Sequence, residues 1–148
     1  MSARTRLLDP AVGRALSALS ATAKKGLGDP ALAELVVIRA SQLNHCAFCL
    51  DMHLAIAREY GVSEERFGLL AAWQEAEEVF DERERAALAL TEAVTVLTEG
   101  FVPDEVYERA AKHFDEAGLA HLIGLVVAIN NWNRVMVGRR IPPGGYTP

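Results

Sequence analysis

The sequence has no excess of basic residues. Its 148 residues carry a formal net charge of -5 with a pI near 5.4, and basic residues occur only in small groups such as Lys24 and Lys25. A protein that binds a phosphate backbone needs a basic face, because cations that neutralise phosphates supply much of the affinity. The charge balance therefore argues against a nucleic acid as partner.

Long apolar runs are also missing. The longest, from Leu122 to Ile129, is far shorter than the roughly 20 residues that a helix needs to span a bilayer. The N-terminal residues MSARTRLLDP interrupt any apolar run with charge and proline, so they lack the apolar centre of a secretory signal. We therefore expect a cytoplasmic protein without a membrane partner.

Strand-like alternation, internal repeats and low-complexity tracts are absent as well. Apolar residues recur instead at helical spacing, and Asp9-Pro10, Asp29-Pro30 and Asp81 stand where helices would begin. With 51% hydrophobic residues, the chain has enough apolar surface for one core. The sequence predicts an all-α fold, a bundle of six or seven helices in a single domain over residues 1–148, with the core at about 29–137.

Caps and helix breakers predict the helix boundaries. Asn44 is the expected N-cap of the third helix, which would place Cys46 in the first turn. Asp81 and Glu84 have the spacing of a capping box. The first expected helix begins at Pro10 and ends by Gly26, the second begins at Pro30, and the third runs from His45 to Tyr60. The others run from Ser63 through Trp73, from Glu82 to about Leu97, from Glu105 to about Phe114 and from Glu116 to Val137.

The last of these helices is apolar on every side, from Leu119 to Ile129. A helix of this kind must be buried all round, and a subunit of six or seven helices has few elements to cover it. We therefore expect the protein to form a homo-oligomer.

Chemistry is concentrated around the only two cysteines, Cys46 and Cys49. His53 follows Cys49 by four residues, so on a helix the three side chains share one face, and Glu34 precedes Cys46 by twelve. A thiol, a second thiol, an imidazole and a carboxylate are the components of an activated cysteine, a partner that closes a disulfide, and a base whose tautomer is held. The pattern indicates a redox site that needs no metal and no organic cofactor, because the sulfurs carry the electrons.

Two other interpretations of the C-x-x-C pair are open, and a third lacks the structure that it needs. A zinc site could use Cys46, Cys49 and His53 with Glu34 or His45 as the fourth ligand. The same residues could also be inert members of the core. A thioredoxin-like site needs a strand before the motif, and the sequence predicts none.

Spacing alone does not decide which sulfur would react. The positive end of the predicted helix dipole would favour the Cys46 thiolate, whereas the i, i+4 spacing to His53 provides Cys49 with a base. Of the remaining polar and aromatic residues, His45 is expected at the surface, Trp132 in the core or an interface, and Arg134 beside an acid or a ligand.

The pattern E-x(11)-C-x-x-C-x-x-x-H resembles the core of the alkylhydroperoxidase-D and carboxymuconolactone decarboxylase superfamily. DERERAALAL at residues 81–90 and NNWNR at residues 130–134 resemble two further segments of that superfamily. The resemblance extends from about Asp29 to Arg134. It implies the alkylhydroperoxidase-D-like helical fold and an assembly that is a dimer, trimer or hexamer.

The peroxidase branch of the superfamily implies a role for each residue of the pattern. Cys49 would attack the peroxide, Cys46 would resolve the product to a disulfide, and His53 with Glu34 would form a proton relay. The implied activity is a thiol-dependent peroxidase, or a dithiol-disulfide oxidoreductase, that reduces organic hydroperoxides with a lipoyl- or thioredoxin-like dithiol. Phe48 departs from the best-known peroxidases, which carry a second histidine between the cysteines. The alternatives are a carboxymuconolactone-decarboxylase-like lyase, whose branch usually lacks the cysteine pair, and a non-enzymatic redox-switch subunit.

Overall fold

The computed structural model describes residue 4 and residues 8–146. Within them it contains seven α-helices and no strand, which confirms the all-α prediction. The helices are α1 (Pro10–Leu27), α2 (Pro30–Leu43), α3 (Ala47–Glu59), α4 (Glu64–Leu69), α5 (Glu82–Thr95), α6 (Asp104–Ala111) and α7 (Glu116–Arg139), and a 3-10 turn at Leu70–Glu75 follows α4. No helix of the described residues is long and apolar enough to cross a membrane.

Aspartate side chains cap the N-termini of four of the helices. Asp9, Asp29, Asp81 and Asp115 each accept a hydrogen bond from a backbone N–H group in the first turn of α1, α2, α5 and α7. The first three confirm predicted starts. The predicted capping box at Asp81 is only half formed, because the Glu84 side chain pairs with Arg66.

The predicted start of the third helix was wrong. Asn44 is the C-cap of α2, His45 adopts a left-handed conformation with φ 53°, and Cys46 is the N-cap of α3. Asn44 cannot cap α3, because its side-chain amide is turned toward α7 and donates to Asn130 and Asn133. Helix α3 therefore begins at Ala47, two residues later than the sequence pattern indicates.

Other predicted boundaries shift by a few residues, including the ends of α5 at Thr95 and of α7 at Arg139. Helix α1 continues through Lys24 to Leu27 and ends at Gly28, whose φ of 71° and N–H bond to the Lys24 carbonyl form a left-handed cap. The predicted helix through Trp73 is broken at Ala72, where the backbone leaves the helical region. Helix α6 ends three residues before Phe114, which is buried beyond its last turn.

Helix α2 is the centre of the fold. It contacts α1, α3, α5 and α7, and its side chains enter both apolar clusters of the core. Leu32, Val36 and Ala40 pack toward α1 and α7, while Leu35 and Ile38 pack toward α3, α4 and the 3-10 turn. The polar side chains of Glu34 and Ser41 on α2 are therefore surrounded by the core.

The subunit itself covers most of the apolar stretch of α7. Leu122, Leu125, Val126 and Ile129 are buried, whereas the Val127 side chain is 41% exposed. The neighbouring face of α1 also leaves apolar residues in solvent, among them Val12 and Leu19. The apolar surface that a second subunit could cover is therefore narrower than the sequence pattern indicated, and the homo-oligomer stays a prediction.

We expect the purified protein to elute as a dimer or larger, with a partner covering the exposed apolar residues of α7. Val127→Glu would bury a charge in such an interface and should shift the mass toward the monomer in light scattering. The same change at the exposed Ala111 of α6 serves as the control. A wild-type protein that is monomeric at micromolar concentration contradicts the prediction.

Candidate functional site

A disulfide joins Cys46 and Cys49 where α3 begins. Cys46 is the N-cap, and its sulfur accepts a hydrogen bond from the Cys49 N–H group at 3.3 Å. Cys49 is the third residue of the helix, so both sulfurs lie at the positive end of the α3 dipole. His45 precedes them and is exposed, as predicted.

Buried polar side chains fix the turn that carries Cys46. The Asn44 amide donates to the side-chain oxygens of Asn130 and Asn133, each at 2.9 Å, and Asn133 donates to the Ser41 hydroxyl at 3.0 Å. The Cys46 N–H group bonds to the Ser41 carbonyl at 3.0 Å. Asn130 and Asn133 of the NNWNR segment therefore hold the backbone between α2 and α3 against α7.

Two of the predicted site residues form a buried pair. Glu34 on α2 is 2% exposed and His53 on α3 is 6% exposed, and Oε2 of Glu34 lies 2.7 Å from Nδ1 of His53. An ionised carboxylate only accepts hydrogen bonds, so Nδ1 must carry a proton. In a neutral His53 ring, Nε2 is then the basic nitrogen.

Lys24, from α1, completes the surroundings of this carboxylate. Its Nζ lies 2.6 Å from Oε1 of Glu34, the oxygen that His53 does not use. Both oxygens of the buried acid therefore have a charged or polar partner, which a buried carboxylate requires. The sequence pattern did not indicate this contact, because Lys24 and Lys25 are alike in sequence and only the packing of α1 against α2 separates them.

The pKa of Glu34 reflects these contacts. Burial alone would raise the pKa, but the hydrogen bond and charge of His53, together with those of Lys24, outweigh burial and lower the pKa below its ordinary value of 4.5. Glu34 is therefore an anion at neutral pH.

A cavity of about 450 Å³ opens beside the pair. Cys49 and His53 both line it, whereas Cys46 is not among its lining residues. Phe48 and Trp132 belong to its wall, so Trp132 is placed beside the site rather than only in the core. The remaining lining residues are Ser17, Ser20, Ala21, Lys24, Val37, Met52, Ile56, Leu125, Ile129 and Met136.

The other singled-out residues do not form a second site. Arg134 donates to the backbone and side-chain oxygens of Asn130 at 3.1 Å. His121 bonds through Nδ1 to the Ala117 carbonyl and lies against Gly26. Across residue 4 and residues 8–146, no group of three or more His, Cys, Asp or Glu side chains is arranged to hold a metal ion.

Comparison with known proteins identifies the family. Residues 10–93 match the family model for the carboxymuconolactone decarboxylase family. The uncharacterized protein YdfG of Bacillus subtilis is 43% identical over 104 residues, which are 70% of each chain. The uncharacterized protein YnjA of Escherichia coli is 32% identical over 117 residues, which are 79% of this chain and 63% of YnjA.

Solved structures share the fold. ATU0492 from Agrobacterium tumefaciens, a protein of unknown function proposed to be the antioxidant defence protein AhpD, superposes with a TM-score of 0.91 at 33% identity, covering 98% of this chain and 100% of that one. A peroxidase-related protein from Silicibacter sp. TM1040 has a TM-score of 0.73 at 21% identity, covering 89% and 70%. The latter supports the fold alone.

The low pKa of Glu34 predicts how stability depends on pH. A carboxyl whose pKa is depressed by folding contributes stability above its unfolded pKa, and that contribution disappears as pH falls through the folded value. Glu34→Gln should therefore unfold more easily than wild type at pH 7, by about 1–3 kcal/mol, because the lysine and the imidazole lose their acceptor.

The difference should begin to shrink below about pH 4.5, where the unfolded glutamate takes up a proton while the folded carboxylate is still ionised. Thermal unfolding between pH 3 and pH 7 measures it. Glu99→Gln, at an exposed position, controls for the change in net charge. A difference between Glu34→Gln and wild type that stays constant over this range would show that the ionised carboxylate contributes no stability.

Proposed function

The chain belongs to the carboxymuconolactone decarboxylase family, and within it we propose a thiol-dependent peroxidase that reduces organic hydroperoxides through Cys49 and Cys46. One observation carries the proposal: Cys49 lines an apolar cavity together with His53, while its sulfur is already bonded to that of Cys46. A nucleophile, a base and a resolving thiol thus meet beside a space for substrate.

The histidine and the cavity favour Cys49 as the attacking sulfur. Cys49 lies four residues before His53 on the same helix, and both side chains line the cavity, which Cys46 does not. Because α3 begins at Ala47, Cys49 also lies in the first turn, where the helix dipole stabilises a thiolate. The dipole therefore does not separate the two sulfurs, whereas the predicted start at His45 had made it favour Cys46.

The proposed reaction begins with the reduced protein. His53 accepts the proton of the Cys49 thiol at Nε2, and the thiolate attacks the terminal oxygen of the hydroperoxide ROOH. The O–O bond breaks, Cys49 becomes a sulfenic acid, and the alkoxide leaves as ROH with the proton from His53. Cys49 loses two electrons and the peroxide gains them.

Resolution and reduction complete the cycle. The Cys46 thiol attacks the sulfenic acid and releases water, which forms the Cys46–Cys49 disulfide. A dithiol of lipoyl or thioredoxin type then reduces this disulfide and is itself oxidised to a disulfide. Because the pair must be reduced in every cycle, we propose the cytoplasm, a reducing compartment, as the location.

The size and lining of the cavity favour an organic peroxide over hydrogen peroxide as the substrate. A volume of about 450 Å³ is in the range of sites for small organic ligands, and most of the wall is aliphatic, aromatic or thioether. Hydrogen peroxide would leave this apolar surface in contact with water. An alkyl or aralkyl group would instead cover it.

The assignment of the sulfurs tests the proposed function. Reduced wild type should consume cumene hydroperoxide repeatedly with dithiothreitol, and hydrogen peroxide more slowly. Cys49→Ser should not react. Cys46→Ser should react once and stop as a sulfenic acid at Cys49, which dimedone labelling and mass spectrometry identify. A disulfide that cycles chemically without peroxide turnover would instead support the redox-switch alternative.

The role of His53 can be separated from that of a nearby imidazole. His53→Gln should lower the rate of peroxide consumption about 100-fold at neutral pH, because it removes the base that accepts the Cys49 proton. His45→Gln should change the rate little, since His45 is exposed and precedes the helix. Equal losses in the two variants would contradict a specific base at His53.

A further inference from the structure

We propose that Lys24 is a positioning residue of the thiol site: its ammonium group neutralises Glu34, so that the buried carboxylate adds little net negative charge beside Cys49. The inference rests on the proposed function, because it concerns the charge around the thiol that would attack the peroxide. It adds helix α1, which holds neither cysteine, to the site.

Lys24 and His53 share the carboxylate of Glu34. Nζ of Lys24 is 2.6 Å from Oε1 of Glu34, and Nδ1 of His53 is 2.7 Å from Oε2. Glu34 is 2% exposed, whereas the Lys24 side chain is 32% exposed and also lines the cavity that Cys49 and His53 share. The lysine therefore reaches from the cavity rim to the buried acid.

The charges give the direction of the effect. A carboxylate paired with a lysine offers a histidine a hydrogen-bond acceptor with little net negative charge. Without the lysine, the same carboxylate would be an uncompensated buried anion close to the cavity that Cys49 lines, and a nearby anion disfavours a thiolate. The loss of Lys24 should therefore raise the pH at which the thiol becomes reactive.

Among the described residues, the other elements around the site bring no competing charge to the cavity. Its titratable lining residues are Lys24 from α1 and Cys49 and His53 from α3. Helix α2 contributes Glu34, and the groups that shift the pKa of Glu34 are His53 and Lys24. Helix α7 supplies apolar side chains to the wall, and its His121 lies against Gly26, two residues beyond Lys24.

A lysine near the end of a helix can also serve only to stabilise the helix dipole. Lys25 provides the comparison, because it lies in the same last turn of α1 and has the same charge but is exposed. If Lys24 acts only on the helix, removal of either lysine should have the same effect. If Lys24 acts through Glu34, only the removal of Lys24 should change the reactivity of Cys49.

The test follows Cys49 directly. In the reduced Cys46→Ser background, the rate of alkylation by iodoacetamide is measured from pH 5 to pH 10. Lys24→Met should raise the midpoint by about one pH unit, which slows alkylation about tenfold on the acidic side. Lys24→Gln, which keeps a donor but no charge, should do the same. Lys24→Arg should restore the wild-type midpoint, and Lys25→Met should not move it.

Two results would overturn the inference. One is an unchanged midpoint in folded Lys24→Met and Lys24→Gln, with folding checked by circular dichroism. The other is an equal shift in Lys25→Met. Alkylation needs no peroxide, so the two proposals can fail separately. A wild type that does not reduce peroxide, with the expected shift of the alkylation midpoint in Lys24→Met, would contradict the peroxidase proposal alone. Peroxide turnover at Cys49 without that shift would contradict the Lys24 inference alone.

Discussion

The carboxylate of Glu34 sits in the most apolar helix of the protein, and the site is built around the need to keep it paired. Helix α2 is covered by α1, α3, α5 and α7, so a negative charge there has no access to bulk water. An unpaired charge in that position would cost several kcal/mol. The fold therefore has to bring a cation from α1 and an imidazole from α3 to opposite oxygens of one side chain, which fixes how both helices pack on α2.

Much of the site could be predicted because its components are local. Cys46, Cys49 and His53 lie within eight residues, and helical spacing places Cys49 and His53 on one face of α3. Cys46 precedes the helix as its N-cap, which the spacing did not predict. Glu34 could be identified because an acid in an apolar helix must be paired. The helices beginning at Asp9, Asp29 and Asp81 could be predicted for a similar reason, since an aspartate cap acts on its own first turn.

The parts that could not be predicted depend on contacts between distant residues. Asn44 is a good cap by composition, but asparagines 86 and 89 residues later engage its amide, and α3 starts elsewhere. Nothing in the local sequence distinguishes Lys24 from Lys25. They differ only because the Lys24 side chain points toward Glu34 on α2. Trp132 likewise faces the cavity only because α7 packs beside α3 and α1. Each of these is a tertiary preference that overrides a local one.

Phe48 affects both the proposed proton transfer and the cavity. The peroxidases that this sequence resembles carry a histidine at that position, and here an aromatic ring forms part of the wall. In the proposed reaction, this exchange removes a second proton carrier from the space between the cysteines, so proton transfer would depend on His53 alone. It also makes the surroundings less polar, and charges interact more strongly where water is excluded. An uncompensated Glu34 would then disfavour the Cys49 thiolate more strongly, so a site with Phe48 has the greater need of a neutralising lysine.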